Sequence, residues 1–125
     1  MANRRLIVNQ ILQGARARGL DPNAVLAVAR VEGLGGGVGD QGTSFGPFQL
    51  HAGGALPRGI SNPRAWAESQ AGINYALDQI ARVAGGKRGR AAIAHIVSRF
   101  ERPSDIPSSI AKWSRCLPDT IATRL

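Results

Sequence analysis

Residues 22–50 read PNAVLAVARVEGLGGGVGDQGTSFGPFQL, and the fold turns on how this stretch changes character half-way. Its first half is helical. Asp21 stands ahead of Pro22 as an N-cap, with proline in the first turn, where its missing N–H leaves nothing unsatisfied. Val25, Val28 and Val31 mark an apolar side, broadened by Leu26 and Ala29. Gly33 stops the helix. Six of the sixteen glycines then fall between residues 33 and 42, a density that excludes any long regular element. A glycine-rich loop or short β-ribbon is expected over 33–50, with the ribbon near Gly42–Leu50.

Around this stretch the pattern is helical. Over residues 4–18, Leu6, Ile7, Ile11, Leu12 and Ala15 recur at helical spacing, with Arg4, Arg5, Arg16 and Arg18 off the stripe, and Gly19 ends the helix. Residues 51–63 form a second loop. A third helix fits 63–83, capped by Asn62, with Pro63 in its first turn and Trp66, Ile73, Leu77 and Ile80 facing inward. A fourth fits 90–100, with Ile93, Ile96, Val97 and Phe100. A fifth begins near 107, and Pro118 kinks or splits it. The expected fold is mainly α, an α+β arrangement of about five helices, in a single domain over residues 1–125.

Composition bounds the function. The hydrophobic fraction of 43% fits a globular chain. Cys116 is the only cysteine, so no internal disulfide exists; it reads as a small buried hydrophobe. Sixteen basic residues, fourteen of them arginine, face eight acids, for a net charge of +8. That balance favours an anionic partner such as nucleic acid, an acidic wall polymer or a membrane surface. The densest basic group is Lys87-Arg88-Gly89-Arg90. No stretch has the length of a membrane span, and the N-terminus lacks the apolar core of a secretory signal. No spacing of His, Cys and Asp suggests a metal site, and no cofactor is expected.

The strongest chemical clue is Glu32. It follows Val28 at i+4 and Val25 at i+7, at the edge of the apolar side and in the last helical turn. Desolvation and the negative end of the helix dipole both raise a carboxyl pKa there, which suits a general acid. The same geometry admits a solvated carboxylate, or an ion pair with Arg30 or Arg102. The glycine-rich segment that follows favours the acid, because it lets backbone approach a ligand closely. Among the other carboxylates, Asp21, Asp105 and Asp119 fit caps or turns, Glu68 and Asp78 fit solvated or capping roles, and Glu101 follows Phe100 at a helix end. Asp40, inside the glycine loop, has access to a cleft or else bonds its own backbone in a turn.

These residues resemble a known family. Val28-Ala-Arg-Val-Glu32, then Gly39-Asp40-Gln-Gly42, then Ser44-Phe45-Gly46-Pro47-Phe48-Gln49-Leu50 is similar to the lysozyme-like lytic transglycosylases and the goose-type lysozymes. Gly72-Ile-Asn-Tyr75 resembles their Gly-x-x-Tyr helix. Phe100-Glu101-Arg102-Pro103 looks like a turn of the phage tail lysozyme branch. The resemblance spans roughly residues 22–110. It implies a lysozyme-like catalytic cleft and peptidoglycan glycan strands as substrate, with Glu32 as acid and base. Asp40 would position water or tune Glu32. Gln49 would bind sugar amides, Tyr75 would line the glutamate pocket, and Ser44, Phe45 and Gly46 would shape the cleft floor. His51 borders the cleft and is expected to bond substrate. Phe45, Phe48, Tyr75 and Phe100 are each candidates for sugar stacking or for core. His95 reads as a structural, hydrogen-bonded residue.

Two positions depart from the family pattern. His51 stands where the goose-type lysozymes carry a second aspartate, and Pro47-Phe48 replaces the usual Leu-Met. A missing second carboxylate favours a lytic transglycosylase over a hydrolase, since hydrolysis ordinarily needs two carboxyls flanking the bond. The resemblance further implies carriage in a phage virion or tail, with other virion proteins as partners. Two rival readings stay open. One is a non-catalytic virion or scaffold module that keeps the fold. The other is a basic nucleic-acid-binding domain, disfavoured because its arginines do not gather on one recognition helix.

Overall fold

The computed structural model describes residues 4–32, 38–39, 44–51, 54–101 and 106–115. In chain order these form α1 (Arg4–Ala17), α2 (Pro22–Glu32), β1 (Val38–Gly39), β2 (Ser44–Phe45), β3 (Leu50–His51), α3 (Pro63–Glu68), α4 (Gln70–Ala84), α5 (Gly89–Ile96) and α6 (Ile106–Ser114). A π-helical turn, Val97–Glu101, extends α5. The chain is mainly helical, as expected. Cys116 and Pro118 lie outside the described residues.

The helix α2 is the axis of the molecule. Ala24, Val25, Leu26, Ala27, Val28 and Ala29 are all buried, so this helix is covered all round rather than on one side. The reason lies in its side chains: from 24 to 29 there is no polar group, and most are small enough for neighbours to approach on every side. α1, α5 and α6 pack against it. α1 turns Ile7, Ile11 and Ala15 inward, whereas Leu6, expected on the same stripe, is 54% exposed. α4 lies against α1, α3 and α5 and contributes Ile73, Ala76, Leu77, Ile80 and Ala84 to the core. Gly14 lets α1 approach α4, since a Cβ there would meet the Leu77 side chain at 2.5 Å.

Two expected elements differ in detail. The third helix is cut at Ser69, whose extended backbone (φ −79°, ψ 166°) closes α3 and opens α4. Its hydroxyl donates to the Trp66 carbonyl at 2.5 Å and accepts from the Gly72 N–H at 3.2 Å. One side chain thus adds a second bond to the Trp66 carbonyl, which also accepts from the Ser69 N–H at 3.0 Å, and satisfies an orphan amide of the next helix. The cap at Asn62 is as read, its side chain accepting from the Ala65 N–H at 3.2 Å. The ribbon carries three strands instead of two. β2 pairs antiparallel with β1 (Val38 opposite Phe45, Gly39 opposite Ser44) and with β3 (Ser44 opposite His51, Phe45 opposite Leu50).

Asp21 joins two helix starts. One carboxylate oxygen accepts from the Asn23 N–H at 3.0 Å and the Ala24 N–H at 3.4 Å, capping α2. The other accepts from the Gly89 N–H at 2.7 Å, sixty-eight residues away, at the start of α5. Arg88, the residue that precedes α5, makes no side-chain cap bond there, so Asp21 supplies the cap from another part of the chain. The side chain is 5% exposed. Beside it the Gly86 N–H donates to the Gly19 carbonyl at 3.4 Å, and Arg18 pairs with Asp78 at 2.7 Å. The α1–α2 and α4–α5 turns are therefore bound to each other. Removing the carboxylate by Asp21→Ala loses a cap, worth about 1 kcal/mol. It also strands a buried amide, at roughly 1–3 kcal/mol. Urea unfolding is expected to show a loss of about 2–4 kcal/mol for Asp21→Ala, with Asp21→Asn falling between that variant and the parent.

Candidate functional site

The residues singled out by sequence fall in three places. Glu32 is the last residue of α2; its backbone is described and its side chain lies outside the described residues, as does that of His51. Asp40 lies wholly outside them. His51 takes part in the ribbon through its backbone, opposite Ser44. The neighbouring Arg30 is exposed. The remaining candidates are described in full.

Ser44, Phe45, Gly46 and Gln49 lie on β2 and the tight turn after it. Ser44 and Gly46 are buried and Phe45 is half-buried against the core, so Ser44 and Gly46 present no open contact surface. Phe48 is 2% exposed; it is a core anchor and not a stacking platform. The turn closes through the Gln49 N–H, which donates to the Gly46 carbonyl at 3.1 Å. The Gln49 side chain folds back and donates its Nε2 to the same carbonyl at 3.0 Å. Gln49 has φ +49°, the one positive value outside glycine among the described residues. A glutamine in this region is strained and persists only where its surroundings over-determine it. Gly46, at φ +80°, starts the turn.

Tyr75 lies on α4, half-buried, with its ring centroid 5.6 Å from that of Trp66 and the planes tilted by 59°. Trp66 had been read only as an inward-facing helix residue. No sequence signal pairs it with Tyr75, because the contact exists only where the break at Ser69 folds α3 back on α4. Phe100 lies on the π-helical turn, half-buried against the core. His95 is hydrogen-bonded through Nδ1 to the Ala91 carbonyl at 3.0 Å, in keeping with a structural role.

Two of the motifs meet at one residue, Ala67. A Cβ on Gly46 would stand 2.6 Å from the Ala67 Cβ and 2.9 Å from the Ala67 carbonyl oxygen. A Cβ on Gly72 would strike the Trp66 carbonyl oxygen and stand 2.8 Å from the Ala67 Cα. The glycine of Gly46-Pro-Phe-Gln49 and the glycine of Gly72-Ile-Asn-Tyr75 thus both stand against Ala67. Of each motif's polar residue, Gln49 is bonded to Gly46 and Tyr75 stands against the Trp66 ring. The described candidates thus include two aromatic rings in contact, amphipathic at the tyrosine, and one glutamine amide bonded to the turn that carries it.

No family model, curated protein or solved structure matches the chain. Among the described residues no group of His, Cys, Asp and Glu is arranged to hold a metal ion, and no helix is long and apolar enough to cross a membrane.

Gly46→Ala and Gly72→Ala are each expected to lower stability by about 1–3 kcal/mol through overpacking. At Gly72 this outweighs the roughly 1 kcal/mol that alanine offers a helix interior. Because both press on Ala67, their effects are expected to depart from additivity by about 0.5 kcal/mol or more in a double-mutant cycle read by urea unfolding.

Proposed function

We propose that this chain cleaves the β-1,4 bond between N-acetylmuramic acid and N-acetylglucosamine in peptidoglycan, as a lytic transglycosylase carried in a phage virion or tail. The observation that carries the reading is the shared seat of the two glycines. Gly46 and Gly72 are each required by space beside Ala67, and three positions after them stand Gln49 and Tyr75, to which the resemblance gives sugar-amide binding and the lining of the glutamate pocket. The strain at Gln49 supports the same reading, since backbone strain gathers where a side chain is needed for binding. The position of Glu32 at the end of a helix buried all round is a third support.

In the proposed reaction Glu32 donates its proton to the glycosidic oxygen as the bond to the anomeric carbon breaks. The oxygen of the substrate's own acetamido group attacks that carbon and forms a cyclic intermediate. The Glu32 carboxylate then takes the proton of the 6-hydroxyl, whose oxygen displaces the acetamido oxygen and closes a 1,6-anhydro ring. The glutamate ends protonated, ready for the next cycle, and water is not consumed. Asp40 tunes Glu32 in this route; in a hydrolytic route it would instead hold the attacking water. Gln49 offers its side-chain carbonyl to a sugar amide while its Nε2 stays on Gly46. Tyr75 and Trp66 give an apolar face to the ring, with Phe45 and Gly46 beneath and His51 at the border.

Glu32→Gln keeps the shape of the side chain and removes the proton. It is expected to reduce release of soluble fragments from purified sacculi by at least about 100-fold with an unchanged circular dichroism spectrum. Mass spectrometry of the parent's digest is expected to show 1,6-anhydro-muramyl ends. Reducing ends would assign hydrolysis, and equal lysis by Glu32→Gln would remove the enzyme reading.

A further inference from the structure

The basic group 87–90 has no part in the proposed reaction, yet the fold gives it a definite setting. Lys87, Arg88 and Arg90 are exposed at the start of α5. The Gly86–Gly19 backbone bond and the Asp21–Gly89 bond bring the last turn of α1, with exposed Arg16, next to this group. Arg82, also exposed, closes α4 just before it. Six cations, counting Arg18, thus surround two carboxylates that are both engaged: Asp21 on backbone amides and Asp78 on Arg18. Among the described residues, Arg16, Lys87, Arg88 and Arg90 have no acidic partner.

Two features argue for a ligand instead of a solvated face. Cations at a helix N-terminus oppose the macrodipole, so three bases at the start of α5 weaken the helix there, and Asp21, the anion already seated at that start, is engaged on backbone amides. They are also held on two turns bound to each other, which keeps the charges together. Asp21 caps the beginning of α2 and Glu32 its end. The helix therefore separates the patch from the proposed catalytic end by about 16 Å along its axis.

We infer that this end of the molecule, Arg16 with Lys87, Arg88 and Arg90, is a second binding surface that docks a linear phosphodiester polymer of the cell wall. The choice of polymer rests on the peptidoglycan reading above; the anion-binding surface does not. A nucleic acid fits less well. None of the described aromatic residues lies within 14–21 or 82–90 to stack on bases. An anionic membrane also fits less well. The large apolar side chain exposed among the described residues, Leu6, is in the first turn of α1, away from Arg16 in its last turn, so the patch has no apolar wedge to insert.

The test is a salt series of binding to soluble poly(glycerol phosphate), comparing the full chain with a Lys87→Gln, Arg88→Gln, Arg90→Gln variant. The variant is expected to lose roughly 10-fold or more in affinity, and its log–log salt slope to fall by about 2, near 0.7 per charge removed. Release of fragments from sacculi stripped of phosphate polymers is expected to be unchanged. Single Arg88→Gln and Arg90→Gln variants carry the same readout in smaller steps should the triple variant not fold. Equal affinity and slope in parent and variant overturn the proposal. So does tighter binding of duplex DNA or of phosphatidylglycerol vesicles than of the polymer at equal phosphate. If the parent fails to cleave stripped sacculi while the charge variant still loses polymer binding, the enzyme reading falls and the docking surface stands.

Discussion

A single buried carboxylate ties the starts of two helices, α2 and α5, together. Asp21 accepts from the first turn of α2 with one oxygen and from the first residue of α5 with the other. Each helix start carries orphan amides and a partial positive charge, and a carboxylate meets both needs at once. Its side chain sits on the axis of the fold, because α2 is the helix that α1, α5 and α6 pack around. Shifting α5 relative to α2 would leave a buried oxygen or a buried amide unpaired. The packing of apolar side chains tolerates small slides; this pair of hydrogen bonds does not. The register of the helical body follows from it.

The parts of the fold visible in the sequence are those whose cause is local. Asp21-Pro22 and Asn62-Pro63 announce helix starts because a cap acts on amides two or three residues ahead. The stripe Ile7, Ile11, Ala15 announces α1 because its period is that of the helix. Leu6, at the edge of that stripe, is 54% exposed, because the helical period marks a stripe and not its covered width. The second duty of Asp21, toward Gly89, is invisible from sequence because it depends on sixty-eight intervening residues folding first. Ser69 hides for a subtler reason: serine is tolerated within a helix, and only its extended backbone makes one hydroxyl serve two helices. The all-round burial of α2 was understated because a helical period shows which side is most apolar, not how many neighbours arrive.

At the candidate site the motifs were legible and their meeting point was not. Gly46 and Gly72 each read as a glycine ahead of a polar residue, three positions before Gln49 and Tyr75. Nothing in either spacing says that both abut Ala67, or that Trp66 stands against Tyr75. Phe48 illustrates the converse: a side chain eligible for a sugar platform is instead the anchor that fixes the turn. Burial of that ring and of Leu50 holds the ribbon, and the ribbon in turn fixes the backbone at Gln49.

The left-handed backbone at Gln49 has an evolutionary corollary. Glycine adopts that conformation without strain, so a lineage drifting under selection for folding alone would tend to replace the glutamine. Such a replacement would pass unnoticed in a screen for soluble, thermally robust protein. Foldedness alone therefore supplies no reason for an amide side chain on this bend.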